Sequence, residues 1–208
     1  MKYIVLSPVG DHRTKWIDEF IDALKAQTIP PDEIVLCVDL DTNKEIERDD
    51  VKFLYSPEIG ISKSQLDRIC TAREILRNYF IYGKYDFALW VDSDIIVPPE
   101  LAETLYQVME TRQALIVVNQ YQGRSGPESR WSGSGVMLTH RVACTASHFW
   151  VGRIIDKHGV EKHLSEDLMF FSIIDQGSRF IKRWSGRSGR ICKEFVIVSH
   201  RSVEFEDG

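Results

Sequence analysis

Phe87-Ala-Leu-Trp-Val-Asp-Ser-Asp94 is the stretch on which the fold turns. Phe87 to Val91 is an uninterrupted apolar run that stops at two aspartates separated by one serine. Strands buried on both faces of a parallel sheet read this way, whereas a strand with one wet face alternates. Ligands of open α/β sheets bind outside the carboxyl ends of the strands, so Asp92 and Asp94 stand where a site is expected. On an extended chain, one intervening residue lets both carboxylates point to the same side. Two like charges ~4 Å apart repel by about 4 kcal/mol at an effective dielectric of 20, and a cation relieves that repulsion. Hard divalent ions are often held by one or two carboxylates plus substrate phosphates. The competing reading is a pair of turn-forming aspartates ahead of Pro98.

Upstream, Tyr3 to Leu6 reads as a strand stopped by Ser7-Pro8-Val9-Gly10, and Trp16, Ile17, Phe20, Ile21 and Leu24 recur at helical spacing. Pro30-Pro31 ends that helix, and Ile34 to Val38 is a second strand. This strand-helix-strand unit suits a right-handed parallel crossover. Val51 to Tyr55 predicts a third strand, and Leu66, Ile69, Cys70, Arg73, Leu76 and Phe80 mark one face of the next helix. Arg73 on that apolar stripe needs a carboxylate partner, because a buried unpaired charge is costly. Downstream, Pro98-Pro99 opens a helix with Leu101, Leu105, Val108 and Met109 on one side, and Leu115 to Val118 is a strand. Beyond Asn119 the alternation weakens: Gln120 to Ser134 is polar and Gly-rich, Val136 to Thr139 is a short strand, Ser165 to Gln176 a helix, and Phe195 to Ser199 a strand. The expected architecture is a three-layer α/β/α sandwich around a mainly parallel sheet. It forms one domain over 1–208, with regular alternation to about 118 and an α+β elaboration from about 119.

The 208 residues are enough for a full core, and the net charge of −5 disfavours nucleic acid and anionic lipid as partners. Cys37, Cys70, Cys144 and Cys192 form no CxxC pair, so no zinc or redox motif is indicated. Cys37 and Cys70 read as core residues. No window approaches the ~18 apolar residues of a membrane span. With no secretory signal at Met1 to Leu6, the expected location is cytoplasmic.

Several segments in order resemble one family, the GT-A glycosyltransferases of the family-2-like inverting group. Asp22-Ala-Leu-Lys-Ala-Gln-Thr-Ile-Pro-Pro-Asp-Glu-Ile-Val-Leu-Cys-Val-Asp39 is similar to that family's first helix, Gln-Thr-x-Pro-Pro turn and second strand. Ala72-Arg73 resembles its Ala-Arg-Asn element, with Glu74 where Asn is usual. Asp92-Ser93-Asp94, Gly133-Ser-Gly-Val-Met-Leu138 and Ser165-Glu-Asp-Leu-Met-Phe170 resemble its metal motif, its acceptor-side strand and its Glu-Asp motif. The similarity spans about residues 3 to 177.

The resemblance implies metal-dependent transfer of a sugar from a UDP- or GDP-sugar to a hydroxyl of a saccharide, protein or lipid-linked acceptor, with inversion, the half to about 118 binding the nucleotide and the half from about 119 the acceptor. Asp39 would contact the base or ribose, with Asp41 a weaker candidate, and Arg73 would orient an aspartate or contact the donor. Asp94 would be the chief ligand of Mn²⁺ or Mg²⁺, and Asp92 would bond the ribose or reach the metal through water. Asp167 would be the base, with Glu166 beside it. In the first turn of a helix Asp167 also complements the macrodipole, which is its bland alternative.

His200 is either a surface residue closing its strand or the late histidine that completes the metal site in some GT-A enzymes. An imidazole there would favour manganese over calcium. Trp131 either stacks on an acceptor sugar or is an ordinary core or surface residue. Lys182-Arg-Trp-Ser-Gly-Arg-Ser-Gly-Arg190 reads as a loop, folding over donor phosphates or merely solvated. Phe180, where the related polysaccharide synthases carry Gln in Gln-x-x-Arg-Trp, argues for single-sugar transfer. A metal-dependent phosphohydrolase and a non-catalytic sugar or nucleotide-binding module are the rival functions.

Overall fold

The computed structural model describes residues 1–10, 15–38, 46, 48–56, 65–119, 135–150, 152–155, 158, 161–194, 196 and 198–200. Of residues 65, 153–155, 161–164, 167, 178, 180–181, 184, 188–190 and 199–200 it describes the backbone alone.

The elements run β1 (Tyr3–Pro8), α1 (Ile17–Lys25), β2 (Glu33–Val38), β3 (Lys52–Tyr55), α2 (Gln65–Tyr82), β4 (Phe87–Val91), β5 (Ile95–Ile96), α3 (Leu101–Arg112) and β6 (Ala114–Asn119). There follow β7 (Val136–His140), α4 (Arg141–Ala146), β8 (Gly152–Ile155), β9 (Glu161–Leu164), α5 (Glu166–Gln176), α6 (Ser178–Ser185), β10 (Ser188–Glu194) and β11 (Ser199–His200). The central sheet has seven strands in the order β10-β6-β7-β4-β1-β2-β3. All its pairings are parallel except those of β7, which is antiparallel to both β4 and β6. The expected three-layer sandwich with a mainly parallel sheet is therefore present, and strands from both halves of the sequence share that sheet.

Successive strand residues face opposite layers. Tyr3, Val5, Leu36, Val38, Leu89 and Val91 pack with α1 and α3, whereas Ile4, Leu6, Val35, Cys37, Ala88 and Trp90 pack with α2, α4 and α5. Both faces are covered, which is why β1 and β4 are buried along their whole length. On α1, Ile17, Phe20, Ile21 and Leu24 are buried at i, i+3, i+4, i+7. At ~1.5–3 kcal/mol each, that stripe contributes about 6–12 kcal/mol.

Gln27, just past α1, is 4% exposed and joins two helices. Its Nε2 donates to the Pro98 carbonyl (2.8 Å) and the Ala23 carbonyl (3.3 Å), and its Oε1 accepts from Ala102 N (3.0 Å). Glu100, the N-cap residue of α3, makes no side-chain cap bond, so Gln27 satisfies one of the donors left open at that helix start. The Gln-Thr-x-Pro-Pro turn is thus a structural clamp between α1 and α3.

Two expectations are corrected. Lys182–Arg190 is not a loop: it contains the last turn of α6 and the start of β10, which pairs in parallel with β6. Gly186, at φ 73°, caps α6 in the left-handed region that glycine tolerates, so the glycine marks a helix end followed directly by a strand. Arg187 anchors the turn by donating to Glu110 Oε1 (2.6 Å) and the Ala114 carbonyl (3.3 Å). Of the strand expected over 195–199, Val196 and Val198 belong to no strand and Ser199 opens the two-residue β11. Phe195 and Ile197 lie outside the described residues.

Candidate functional site

From β1 the chain runs to β2 and β3 on one side and then crosses back to β4 on the other, so the strand order reverses between β1 and β4. A crevice at such a switch point is the usual ligand site of open α/β sheets. The Asp92-Ser93-Asp94 triplet lies there, but not as an extended chain. Ile95 N donates to the Asp92 carbonyl (3.0 Å), closing a turn, and Asp92 N donates to the Gly135 carbonyl at the mouth of β7 (2.8 Å). The alternation argument for the two carboxylates therefore fails, because Ser93 and Asp94 are in the turn. Asp94 is 4% exposed, while the Asp92 side chain is 28% exposed.

Arg73 has the carboxylate partner its position demands, twice over. It is 3% exposed, with Nη2 2.8 Å from Asp92 Oδ1 and Nη1 3.0 Å from Glu166 Oε1, at the first residue of α5. The planar guanidinium can hold two acceptors in fixed directions. Its carbon lies 5.7 Å from the centroid of the Phe149 ring. That ring stacks on Phe170 of α5 (4.4 Å, 8°) and tilts against Trp90 of β4 (5.0 Å).

Sequence reasoning missed the groups that seat this cluster. Glu74, the departure from the Ala-Arg-Asn pattern, accepts from Phe149 N (3.0 Å), meets His148 Nδ1 (3.1 Å) and accepts from Arg77 Nη1 (2.7 Å). Arg77, 3% exposed, also donates to the Cys144 carbonyl (2.6 Å). Cys70 Sγ donates to the Phe149 carbonyl (3.0 Å), and Ser147 Oγ to the Phe170 carbonyl (2.9 Å). The only signal in the sequence was a second arginine one turn beyond Arg73.

The C-terminal segment returns to the same corner. Buried Asn119, the last residue of β6, accepts from Val196 N (2.8 Å) and donates to its carbonyl (2.9 Å). Beyond it, β11 pairs antiparallel with β5, with His200 opposite Ile95, the residue after Asp94. The His200 side chain lies outside the described residues. So does that of Asp167, whose backbone is in the first turn of α5 behind the N-cap Ser165. Asp39, Asp41 and Trp131 lie wholly outside them.

Among the described residues no three His, Cys, Asp or Glu side chains are grouped closely enough to hold a metal ion. A surface cavity of about 660 Å³ between α3 and β10, lined by Thr104, Gln107, Arg112, Lys193 and Glu194 among others, contains none of the candidate site residues. Among the described residues no helix is long and apolar enough to cross a membrane. The cysteines are free, with Cys37, Cys70 and Cys144 buried.

No family model matches the sequence, and no curated protein matches it. Solved structures do resemble it. Glucosyl-3-phosphoglycerate synthase from Mycobacterium tuberculosis, in complex with Mn²⁺, UDP and glucosyl-3-phosphoglycerate, superposes with a TM-score of 0.62 at 15% identity, over 97% of this chain and 72% of that one. S. aureus TarS 1–349 in complex with UDP-GlcNAc gives 0.61 at 15% identity, over 97% of this chain and 60% of that one. Another structure of S. aureus TarS 1–349 gives 0.58 at 15% identity, over 93% of this chain and 58% of that one. The chain has the fold of the GT-A glycosyltransferases.

Proposed function

We propose that the chain is a glycosyltransferase that moves a sugar from a nucleoside-diphosphate sugar, UDP-linked in the first instance, to an acceptor hydroxyl. One observation carries this reading. The β5–β11 pairing brings the backbone of His200 opposite Ile95, one residue past Asp94 and close in sequence to Asp92 at the end of β4. Two carboxylates and an imidazole are donors that suit Mn²⁺ or Mg²⁺, with manganese favoured by the nitrogen. The ligands bound by the solved neighbours, UDP with Mn²⁺ in one and UDP-GlcNAc in the other, point to the same donor class.

In this reading Asp94 is the chief metal ligand, His200 completes the set, and Asp92, held by Arg73, bonds the donor ribose or reaches the metal through water. Asp39 and Asp41, just after β2, are the candidates for the base and ribose. A bound divalent cation would supply Lewis acidity that neutralises charge growing on the diphosphate. Asp167 takes the proton of the acceptor hydroxyl as its oxygen bonds the anomeric carbon and the carbon–phosphate oxygen bond breaks. Attack from the face opposite the diphosphate inverts the anomeric centre. Trp131 is the candidate platform for the acceptor.

The test is a panel of UDP-, GDP- and dTDP-sugars with Mn²⁺, scored by released nucleotide for wild type and Asp94→Ala. One donor should be consumed, and the substitution should abolish its use. Equal release by the variant would remove Asp94 from the site.

A further inference from the structure

We infer that Glu166 is a positioning residue: through Arg73 it fixes the carboxylate of Asp92, joining the helix that carries Asp167 to the donor side of the site. This rests on the reading of the Asp92–Asp94 turn given above. Glu166 is 5% exposed and its Oε1 faces Arg73 Nη1 at 3.0 Å, so its carboxylate is enclosed and ion-paired rather than presented to a substrate. The guanidinium is rigid and planar, so holding Nη1 sets where Nη2 points, and Nη2 bonds Asp92 Oδ1 at 2.8 Å.

The same helix also backs the ring that lies over Arg73. Glu166 and Phe170 are four apart and share one face of α5. Phe170 stacks on Phe149, which lies against the guanidinium. Arg73 is thus held at its edge by Glu166 and on its face by Phe149, which α2 holds through Glu74 and Cys70 and which Phe170 of α5 backs. Any shift of α5 turns Asp92, and any loss of Arg73 unseats the first turn of α5, where Asp167 adjoins Glu166. Donor and acceptor sides share one buried connector, and groups of this kind behind a metal ligand commonly change affinity about 10–100-fold when altered.

The experiment compares wild type, Glu166→Gln and Glu166→Asp in three ways: hydrogen–deuterium exchange of the backbone, calorimetric titration of Mn²⁺ into protein with saturating UDP, and nucleotide release from the donor that wild type consumes. Glu166→Gln should raise exchange at Asp92–Ile96 as well as at the start of α5. It should weaken Mn²⁺ binding about 10–100-fold. Glu166→Asp, which keeps the charge, should recover part of both. A merely structural role would lower the folded fraction without changing the Mn²⁺ affinity of the folded molecules. Unchanged exchange at Asp92–Ile96 in Glu166→Gln overturns the inference, as does unchanged Mn²⁺ affinity with loss of nucleotide release, the signature of a base. If wild type binds no UDP with Mn²⁺, the donor-site reading falls, while the exchange data still decide whether Glu166 governs the Asp92 turn.

Discussion

Replacing Arg73 by methionine keeps much of the side-chain volume and removes the charge on which two carboxylates depend. Glu166, with 7% of its side chain exposed, loses the guanidinium that it faces inside the protein. Breaking a buried ion pair from one side costs about 3–5 kcal/mol. Asp92, 28% exposed, can turn to solvent and adds little. At ~2–4 °C per kcal/mol for a chain of this size, the midpoint of thermal unfolding should fall by about 6–20 °C. Arg48 is the control, because it too is an arginine held by ion pairs, to Asp18, Asp22 and Asp50. Those partners are exposed at 75%, 68% and 28%, so water replaces the arginine and Arg48→Met should cost a small fraction as much. Scanning calorimetry near neutral pH measures both. The double variant Arg73→Met with Glu166→Met should regain most of the loss, since it removes the carboxylate together with its guanidinium. Equal destabilisation by the two single variants, or no recovery in the double, would refute the reasoning.

Gln27→Ala should lower stability by about 2–4 kcal/mol in urea unfolding, because Ala102 N and the Pro98 carbonyl lose their buried partner. His140 accepts from Val142 N through Nδ1, and burial, then the charge of Arg187, pulls its pKa down to about 4. The unfolded chain takes up that proton near pH ~6.5. This contribution is therefore whole above ~6.5 and is lost as pH falls towards about 4, amounting to about 1–2 kcal/mol once partial exposure is allowed for. His140→Asn, which keeps a cap acceptor, should flatten that part of the stability–pH curve. Burial pushes the thiols of Cys37 and Cys144 up to about 12, so iodoacetamide at mildly alkaline pH should spare both in the native protein and label them after denaturation, as read by mass spectrometry.

What could be read from the chain alone was whatever rests on local periodicity. The run from Phe87 to Val91 announced a strand buried on both faces, and the stripe from Ile17 to Leu24 announced the helix above it. Arg73 betrayed its partners because a charge on an apolar stripe needs an answer. Gly186 misled: a glycine that ends a helix looks, in sequence, like a glycine in a loop. Glu74, Arg77 and Phe149 act through contacts across many residues of chain, which no window of periodicity reports. The return of β11 to β5 was equally invisible, since two residues of strand carry no pattern. The aspartate pair was noticed for the right position and partly the wrong geometry, a turn taking the place of extended chain.

The most direct test of the account is an anomalous difference map, recorded near the manganese edge, from crystals grown with Mn²⁺ and UDP. The expected result is one strong peak against the Asp94 carboxylate with the diphosphate on its far side and His200 turned towards it. Nucleotide bound at another face, or manganese absent from the Asp92–Asp94 turn while UDP is present, would contradict it.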